Sequence, residues 1–309
     1  MTNYKGLERT IYFLLKKLIL LGTFLLNMLN IKYYKKVKVA LCIVARRENK
    51  YIKEFVDYYR KLGIKKIFLY DNNNDNEENF ESVLKKETQI NFVEIVDYRG
   101  LYKPQFRAYT ECYNNNKNDF DWIAFYDVDE FLYLVNYTNI HQFLSQPSLE
   151  KCQSIIINWK YYGDNNNLYY ERKPLLERFT ETYNYNEIKK DDDKYFIAAG
   201  KSMVRGGLNI SWYHFPHYLK DIVNCRPNGN LLKNPLSYPN YSNAFIKHFA
   251  TKSTEEYALK MFKGTVNSSY KSNKENITYL IKNYYFRINK VTEEKVKLFN
   301  KILGFTITI

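Results

Sequence analysis

A chain of 309 residues with a formal charge of +14 at pH 7 has room for one large α/β domain or two small ones, and its basic excess favours anionic partners such as a nucleotide diphosphate, an acidic membrane surface or nucleic acid. No RNA-recognition signature or zinc-knuckle spacing accompanies the charge, which sets nucleic acid aside. Lys, Asn, Ile and Tyr are all abundant, with 31 tyrosines, a bias an AT-rich genome would produce, so the charge alone decides little.

The stretch Ile11 to Leu29 is apolar apart from Lys16, Lys17 and Asn27. A spanning helix wants about 20 predominantly apolar residues, and each lysine near its centre would cost roughly 2.5–3.5 kcal/mol. With Lys5, Arg9, Lys32, Lys35, Lys36 and Lys38 around it, residues 1–36 read as a basic amphipathic segment lying on an anionic membrane surface. A helix packed on the protein's own core and a single signal-anchor are the alternatives.

From Val37 the pattern changes. Val37 to Ala45 has the β-branched density of a buried strand. After Arg46, Arg47, Glu48 and Asn49, the apolar residues Tyr51, Ile52, Phe55, Val56, Tyr59 and Leu62 recur at helical spacing, with Gly63 at the C′ position. Ile64 to Tyr70 is a second strand ending at Asp71, Phe80 to Lys86 a short helix, and Ile90 to Val96 a third strand. Pro104 opens another helix. This β-α-β order predicts a doubly wound parallel sheet. No G-x-G-x-x-G or G-K-[ST] loop is present, so a dinucleotide-binding domain or a P-loop would lack its phosphate cradle.

The sequence DWIAFYDVDEFLYL, Asp121 to Leu134, follows. An apolar run that stops at Asp127, Asp129 and Glu130 reads as a buried strand with carboxylates at its carboxyl end, where open α/β sheets place their ligands. On an extended chain Asp127 and Asp129 lie on one side of the backbone. Two hard oxygen ligands there suit Mg2+ or Mn2+. Glu130 reads as the cap of a following helix.

Later segments are looser. Ser154 to Tyr162 is a strand, Gly163 to Arg178 and Glu181 to Lys194 are polar loops, and Lys201 to Arg205 is a short strand. Asn224 to Tyr241 is irregular. Ser253 and Glu256 form a capping box before Tyr257, Leu259, Met261 and Phe262, and a last helix runs from Thr292 to Leu303. Cys42, Cys112, Cys152 and Cys225 form no C-x-x-C pair, which predicts neither a zinc site nor a disulfide framework and fits a reducing compartment.

The stretches VALCIVARREN, EFVDYYRKLGIKKIFLYDNNND, WIAFYDVDEFL, GKSMVRG and KHFATKSTEEYALKMFKG together resemble glycosyltransferase family 92 and the related family 2 enzymes of GT-A fold, in the same order from about Val37 to Gly264. These families often carry Asn-Glu where this chain has Arg47-Glu48. The resemblance implies a GT-A, Rossmann-like, mostly parallel sheet with flanking helices over residues 37–265, followed by a helical extension at 266–309. It implies an inverting transferase that uses a nucleotide sugar, a UDP-sugar for example, and Mn2+ or Mg2+. Asp129 would hold the metal with Asp127, which also orients the ribose, and with His217 or, failing that, His214. Asp71 would lie near the base, Arg46, Lys201 and Arg205 near the donor phosphates, and His248 against the substrate.

Inversion requires a base for the acceptor hydroxyl. Glu177 and Asp164 are the candidates, with Glu130 a third, and Trp159, Tyr161 and Tyr162 offer faces for sugar stacking. The acceptor would be a glycan or a lipid-linked species, and the protein peripheral on the cytoplasmic face of a membrane. Two other readings fit the carboxylates or the charge: a metal-dependent nucleotidyl- or phosphotransferase, and a non-catalytic protein bound to the membrane surface.

Overall fold

The computed structural model describes residues 14–18, 36–184, 196, 198–210, 216–263 and 273–307. It divides into two units, 1–36 and 37–309. In the first, residues 14–18 are helical with Leu14, Leu15 and Leu18 exposed. No helix among the described residues is long and apolar enough to cross a membrane, and the rest of the predicted amphipathic segment lies outside them, as does His214.

The second unit is built on β1 (Val39–Ala45), β2 (Lys66–Asp71), β3 (Val93–Asp97), β4 (Trp122–Phe125), β5 (Glu130–Leu134), β6 (Ser154–Tyr161), β7 (Gly200–Arg205), β8 (Asn224–Cys225) and β9 (Ala244–His248). They lie in the order β3-β2-β1-β4-β7-β6-β9-β5, with β8 on β6. Strands β1 to β4 pair in parallel, as the alternation of strand and helix predicts. Past β4 the sheet is mixed: β7 runs antiparallel to both β4 and β6, and β5 antiparallel to β9, while β6 is parallel to β8 and β9.

Every residue of β1 is buried, because both faces are covered. Leu41 and Ile43 pack with Phe55 and Tyr59 of α1 (Asn49–Leu62). Ala40, Cys42 and Val44 face Tyr109, Cys112 and Tyr113 of α3 (Gln105–Asn116). Between these helices comes α2 (Phe80–Gln89). The left-handed Gly63, at φ 102°, ends α1 by donating its N–H to the carbonyls of Tyr59 and Arg60. Short helices α4 (Ile140–Leu144) and α5 (Leu175–Arg178) follow. The helix α6 (Thr254–Lys263) starts from the predicted capping box, in which Ser253 Oγ donates to Glu256 Oε2 at 2.6 Å and accepts from the Glu256 N–H. Tyr257, Ala258 and Met261 of α6 pack with α7 (Lys274–Leu280), the π-helical turn Ile281–Tyr285 that continues it, and α8 (Glu293–Leu303).

Two expectations are corrected. Glu130 opens a strand and caps no helix: its segment pairs antiparallel with β9, and Tyr59 of α1 fixes it by donating to the Glu130 carbonyl at 2.8 Å and accepting from the Leu132 N–H at 2.9 Å. The strand β9 was not legible in its Asn- and Pro-rich surroundings. The four cysteines are all paired, Cys42 with Cys112 and Cys152 with Cys225, at Cα separations of 6.4 and 5.7 Å. Partners 70 and 73 residues apart in sequence leave no local spacing signature, and the inference of a reducing compartment from cysteine usage falls with them.

Candidate active site

Because β4 ends at Phe125 and β5 starts at Glu130, the residues Asp127, Val128 and Asp129 form a turn at the carboxyl edge of the sheet. The turn closes on itself: the Glu130 N–H donates to the Asp127 carbonyl at 3.0 Å, and the Asp127 N–H donates to Glu130 Oε2 at 2.9 Å. In a turn the two aspartates no longer share a side, as they would on an extended strand, and their environments diverge.

Asp127 faces β7 and α3. Its Oδ2 is 2.8 Å from Lys201 Nζ, and Gln105 Nε2 and the Tyr109 hydroxyl stand 3.2 and 3.3 Å from Oδ1. Gly200, beside Lys201, lets β7 lie close against β6, since a Cβ there would run into the Ile157 carbonyl of that strand. Burial works against the charge on Lys201, but Asp127 and Glu130 outweigh it and hold the ammonium protonated well above its ordinary range.

Asp129 faces β9 and α6. Its Oδ1 is 3.7 Å from His248 Nε2, and its Oδ2 is 3.4 Å from Lys260 Nζ and 3.7 Å from Lys252 Nζ. Burial opposes its ionisation, yet Lys260, Lys252 and His248 prevail and hold the carboxyl well below the usual range. The antiparallel register sets His248 directly opposite Glu130, with His248 Nε2 3.9 Å from Glu130 Oε1. Burial raises the Glu130 carboxyl and lowers the His248 imidazole to about 4, so the ring is neutral at neutral pH. Asp129, Glu130 and His248 each offer a ligand atom within 4.8 Å of the others'.

Asp127, Asp129, His248 and Lys260 border a cleft of about 390 Å³ that runs from the end of β1 (Val44 to Arg46) to α6 and to Leu280 and Tyr284 of the C-terminal helices. The other expected site residues are placed as follows. Arg46 lines the cleft, its guanidinium held by both oxygens of Glu77 at 3.0 Å. Asp71 is buried at the end of β2, accepting from Asn73 and from Arg99 Nε at 3.2 Å. His217 lies outside the metal-type group: its Nδ1 is 2.6 Å from the Gly200 carbonyl and its ring meets the edge of Trp159, which also contacts His248.

Arg205 sits opposite Trp122, at the amino end of β4 and so at the far edge of the sheet from Asp127. It donates to the carbonyls of Cys152, Leu149 and Glu150. Asp164 is buried against Lys295 Nζ at 2.7 Å and the Tyr285 hydroxyl at 2.6 Å. Glu177 is exposed on α5. None of Asp71, Asp164, Glu177, Arg205 or His217 lines the cleft. Sequence reading passed over Glu130 as a ligand and Lys260 as a cleft residue. A strand read at AFIKH and paired antiparallel to EFLYL would have set His248 opposite Glu130.

The sequence pattern of glycosyltransferase family 92 matches residues 35–284, most of the chain. The chain belongs to glycosyltransferase family 92. Among curated relatives, a family 92 protein of Arabidopsis thaliana is 27% identical over 132 residues, covering 42% of this chain and 22% of its own length. One of Ricinus communis is 26% identical over 114 residues, covering 37% and 20%. The chain thus spans about a fifth of the length of the curated relatives it matches. Among solved structures, S. aureus TarS 1-349 in complex with UDP-GlcNAc aligns over 87% of this chain and 73% of its own at 13% identity and TM-score 0.40. The mannosyltransferase PcManGT of Pyrobaculum calidifontis, in complex with GDP-Man and Mn2+, aligns over 45% and 42% at 13% identity and TM-score 0.30. The mixed α/β sheet with an acidic turn on its carboxyl edge agrees with the GT-A architecture expected of the family.

Proposed function

We propose that this chain transfers a sugar, with inversion, from a nucleotide sugar such as a UDP-sugar to a glycan or lipid-linked acceptor, and that it uses Mn2+ or Mg2+. The observation that carries the metal dependence is the Asp129, Glu130 and His248 group at the rim of the cleft. The donor set of two carboxylates and a neutral imidazole suits such an ion. One of its buried carboxylate atoms, Glu130 Oε1, has no hydrogen-bond partner, the state expected of a group that awaits one.

Bound by these three residues, a divalent cation would neutralise the charge that develops on the leaving diphosphate. The remaining steps belong to the chain. Lys201 fixes Asp127 in place, Gln105 and Tyr109 orient its other oxygen, and the closed turn from Asp127 to Glu130 keeps the carboxylates fixed before substrate arrives. Glu177 and Asp164 stand away from the cleft, so proton removal from the acceptor is not assigned to them. The basic segment 1–36 supports a peripheral site on an anionic membrane, where a lipid-linked acceptor would be found.

The test is a thermal-shift screen of the purified chain against nucleotide sugars with and without Mn2+, followed by nucleoside diphosphate release on adding acceptors. A Mn2+-dependent rise in Tm with at least one nucleotide sugar is expected. A protein that melts cooperatively but responds to none of them would sink the proposal.

A further inference from the structure

Among the described residues β5 ends the strand order, with β9 on its inner side and no strand on its outer side. Backbone groups that point away from β9 must find partners elsewhere if they are buried. They find them on α1. The Tyr59 hydroxyl donates to the Glu130 carbonyl at 2.8 Å and accepts from the Leu132 N–H at 2.9 Å, and the Tyr58 hydroxyl donates to the Leu132 carbonyl at 2.6 Å. In a parallel ladder, one residue donates its N–H to the carbonyl before its partner and accepts at its own carbonyl from the N–H after it. Centred on Phe131, the single hydroxyl of Tyr59 makes both bonds. It takes the place of one residue of a further strand.

The ring that carries this hydroxyl is fully buried and fixed by its neighbours. It meets Phe55 at 4.6 Å between centroids, Tyr126 at 5.9 Å and Phe131 at 6.4 Å. Phe131 in turn meets the rings of Tyr58 and Phe249 edge-on. On the inner side, the Phe249 N–H donates to the Asp129 carbonyl at 2.9 Å, and Glu130 lies opposite His248. Glu130 is thus tied from both sides. A one-residue slip of β5 would turn it to the other face of the sheet and take apart the group formed by Asp129, Glu130 and His248.

We propose that Tyr59 is a positioning residue of this group: through the backbone on either side of Phe131 it holds Glu130 in register with His248. The inference rests on the metal-dependent reading of the site. Tyr58 bonds the strand at the Leu132 carbonyl, past Glu130, and closes the edge without setting the carboxylate. Coupling of this kind is reciprocal, so a bound ion should strengthen the Tyr59 bonds in turn.

The experiment follows Mn2+ binding to the full chain by loss of the free ion's EPR signal, well below the Tm of every variant. Tyr59→Phe removes one oxygen and keeps the ring, and should weaken Mn2+ binding by about tenfold. Tyr58→Phe should lower Tm while leaving Mn2+ affinity unchanged, which separates positioning from stability. Hydrogen exchange in the unaltered chain supplies a readout that needs no substitution and decides the matter even if Tyr59→Phe does not fold. Mn2+ should slow exchange of the Leu132 amide by a factor comparable to that loss of affinity, measured relative to the amide of Ile43, a fully buried residue of β1. A Tyr59→Phe chain that binds Mn2+ like the unaltered one would overturn the positioning role and leave the metal-dependent reading intact. So would equal losses in the two tyrosine variants, or a Leu132 amide that Mn2+ protects no more than Ile43. An unaltered chain that binds no Mn2+ would overturn the metal-dependent reading and this inference with it.

Discussion

The parallel strands β1 to β4 and the mixed strands β5 to β9 contribute unequally to the cleft. The parallel part is made of short crossovers, with both faces of the sheet covered by α1 and α3. It brings Asp127, and from its connections Arg46 and Gln105. The mixed part brings His248 on β9, with Lys260 just beyond, and sets Lys201 on β7 and Glu130 on β5 against the acidic turn. One part positions an edge through local packing. The other populates it through the register between segments distant in sequence, such as Glu130 opposite His248, so an error there would move the chemistry without unfolding the scaffold.

The sharpest way to break that contrast is Asp129→Asn. Activity should fall about 10²–10³-fold, and Mn2+ should no longer raise Tm, because the turn keeps its backbone bonds while losing its central charge. Normal turnover would show that the mixed part does not supply the reactive group. Next in size is a pair of histidine variants. His248→Ala should raise the Mn2+ concentration for half-maximal activity by about tenfold or more, whereas His217→Ala, whose ring is committed to Gly200 and Trp159, should leave it nearly unchanged. Equal effects from the two would erase the distinction.

A third variant tests what joins the parts. Glu256 on α6 pairs with Arg178 through both oxygens, at 2.7 and 2.9 Å, and accepts from the Tyr51 hydroxyl of α1. Burial raises its carboxyl, but Arg178, Ser253 and Tyr51 outweigh this and bring it down to about 2 from an ordinary 4.5. The stability it confers is therefore fully present above pH 4.5 and is lost as pH falls towards 2. Glu256→Gln should cost about 3 kcal/mol by chemical denaturation at pH 7, leaving Arg178 buried without its partner, and should flatten the acid limb of stability over that window. The smallest effect belongs to Arg205→Ala, which should lower stability by about 1–2 kcal/mol through the carbonyls it leaves unpaired and leave the donor KM unchanged. A raised KM would return Arg205 to the donor site.

Sequence reading fared differently in the two parts for a physical reason. In β1, α1 and β2, burial follows local periodicity, so Tyr51, Ile52, Phe55, Val56 and Tyr59 announced their helix face and Gly63 its end. The acidic turn was legible as the place where the apolar run of β4 stops. The partners of that turn were not, because nothing near His248 or Lys260 in sequence reports that β9 lies antiparallel to β5. Asp164 and Glu177 were chosen from their position after a strand exit and beside an arginine. The fold gives Asp164 to Lys295 and Tyr285 and leaves Glu177 in solvent. The cysteines misled for a related reason, since each pair is made by a strand's neighbour in space.

The wall formed by Leu280 and Tyr284 has a consequence for how this protein comes into being. All nine strands among the described residues and the acidic turn precede it along the chain, so a nascent polypeptide can have this sheet outside the ribosome while the cleft still lacks one side. Domains fold as units while synthesis proceeds, and here the unit is incomplete until residues 280–295 emerge. Donor binding should therefore appear late and abruptly in a series of stalled chains, well after the sheet has become resistant to protease.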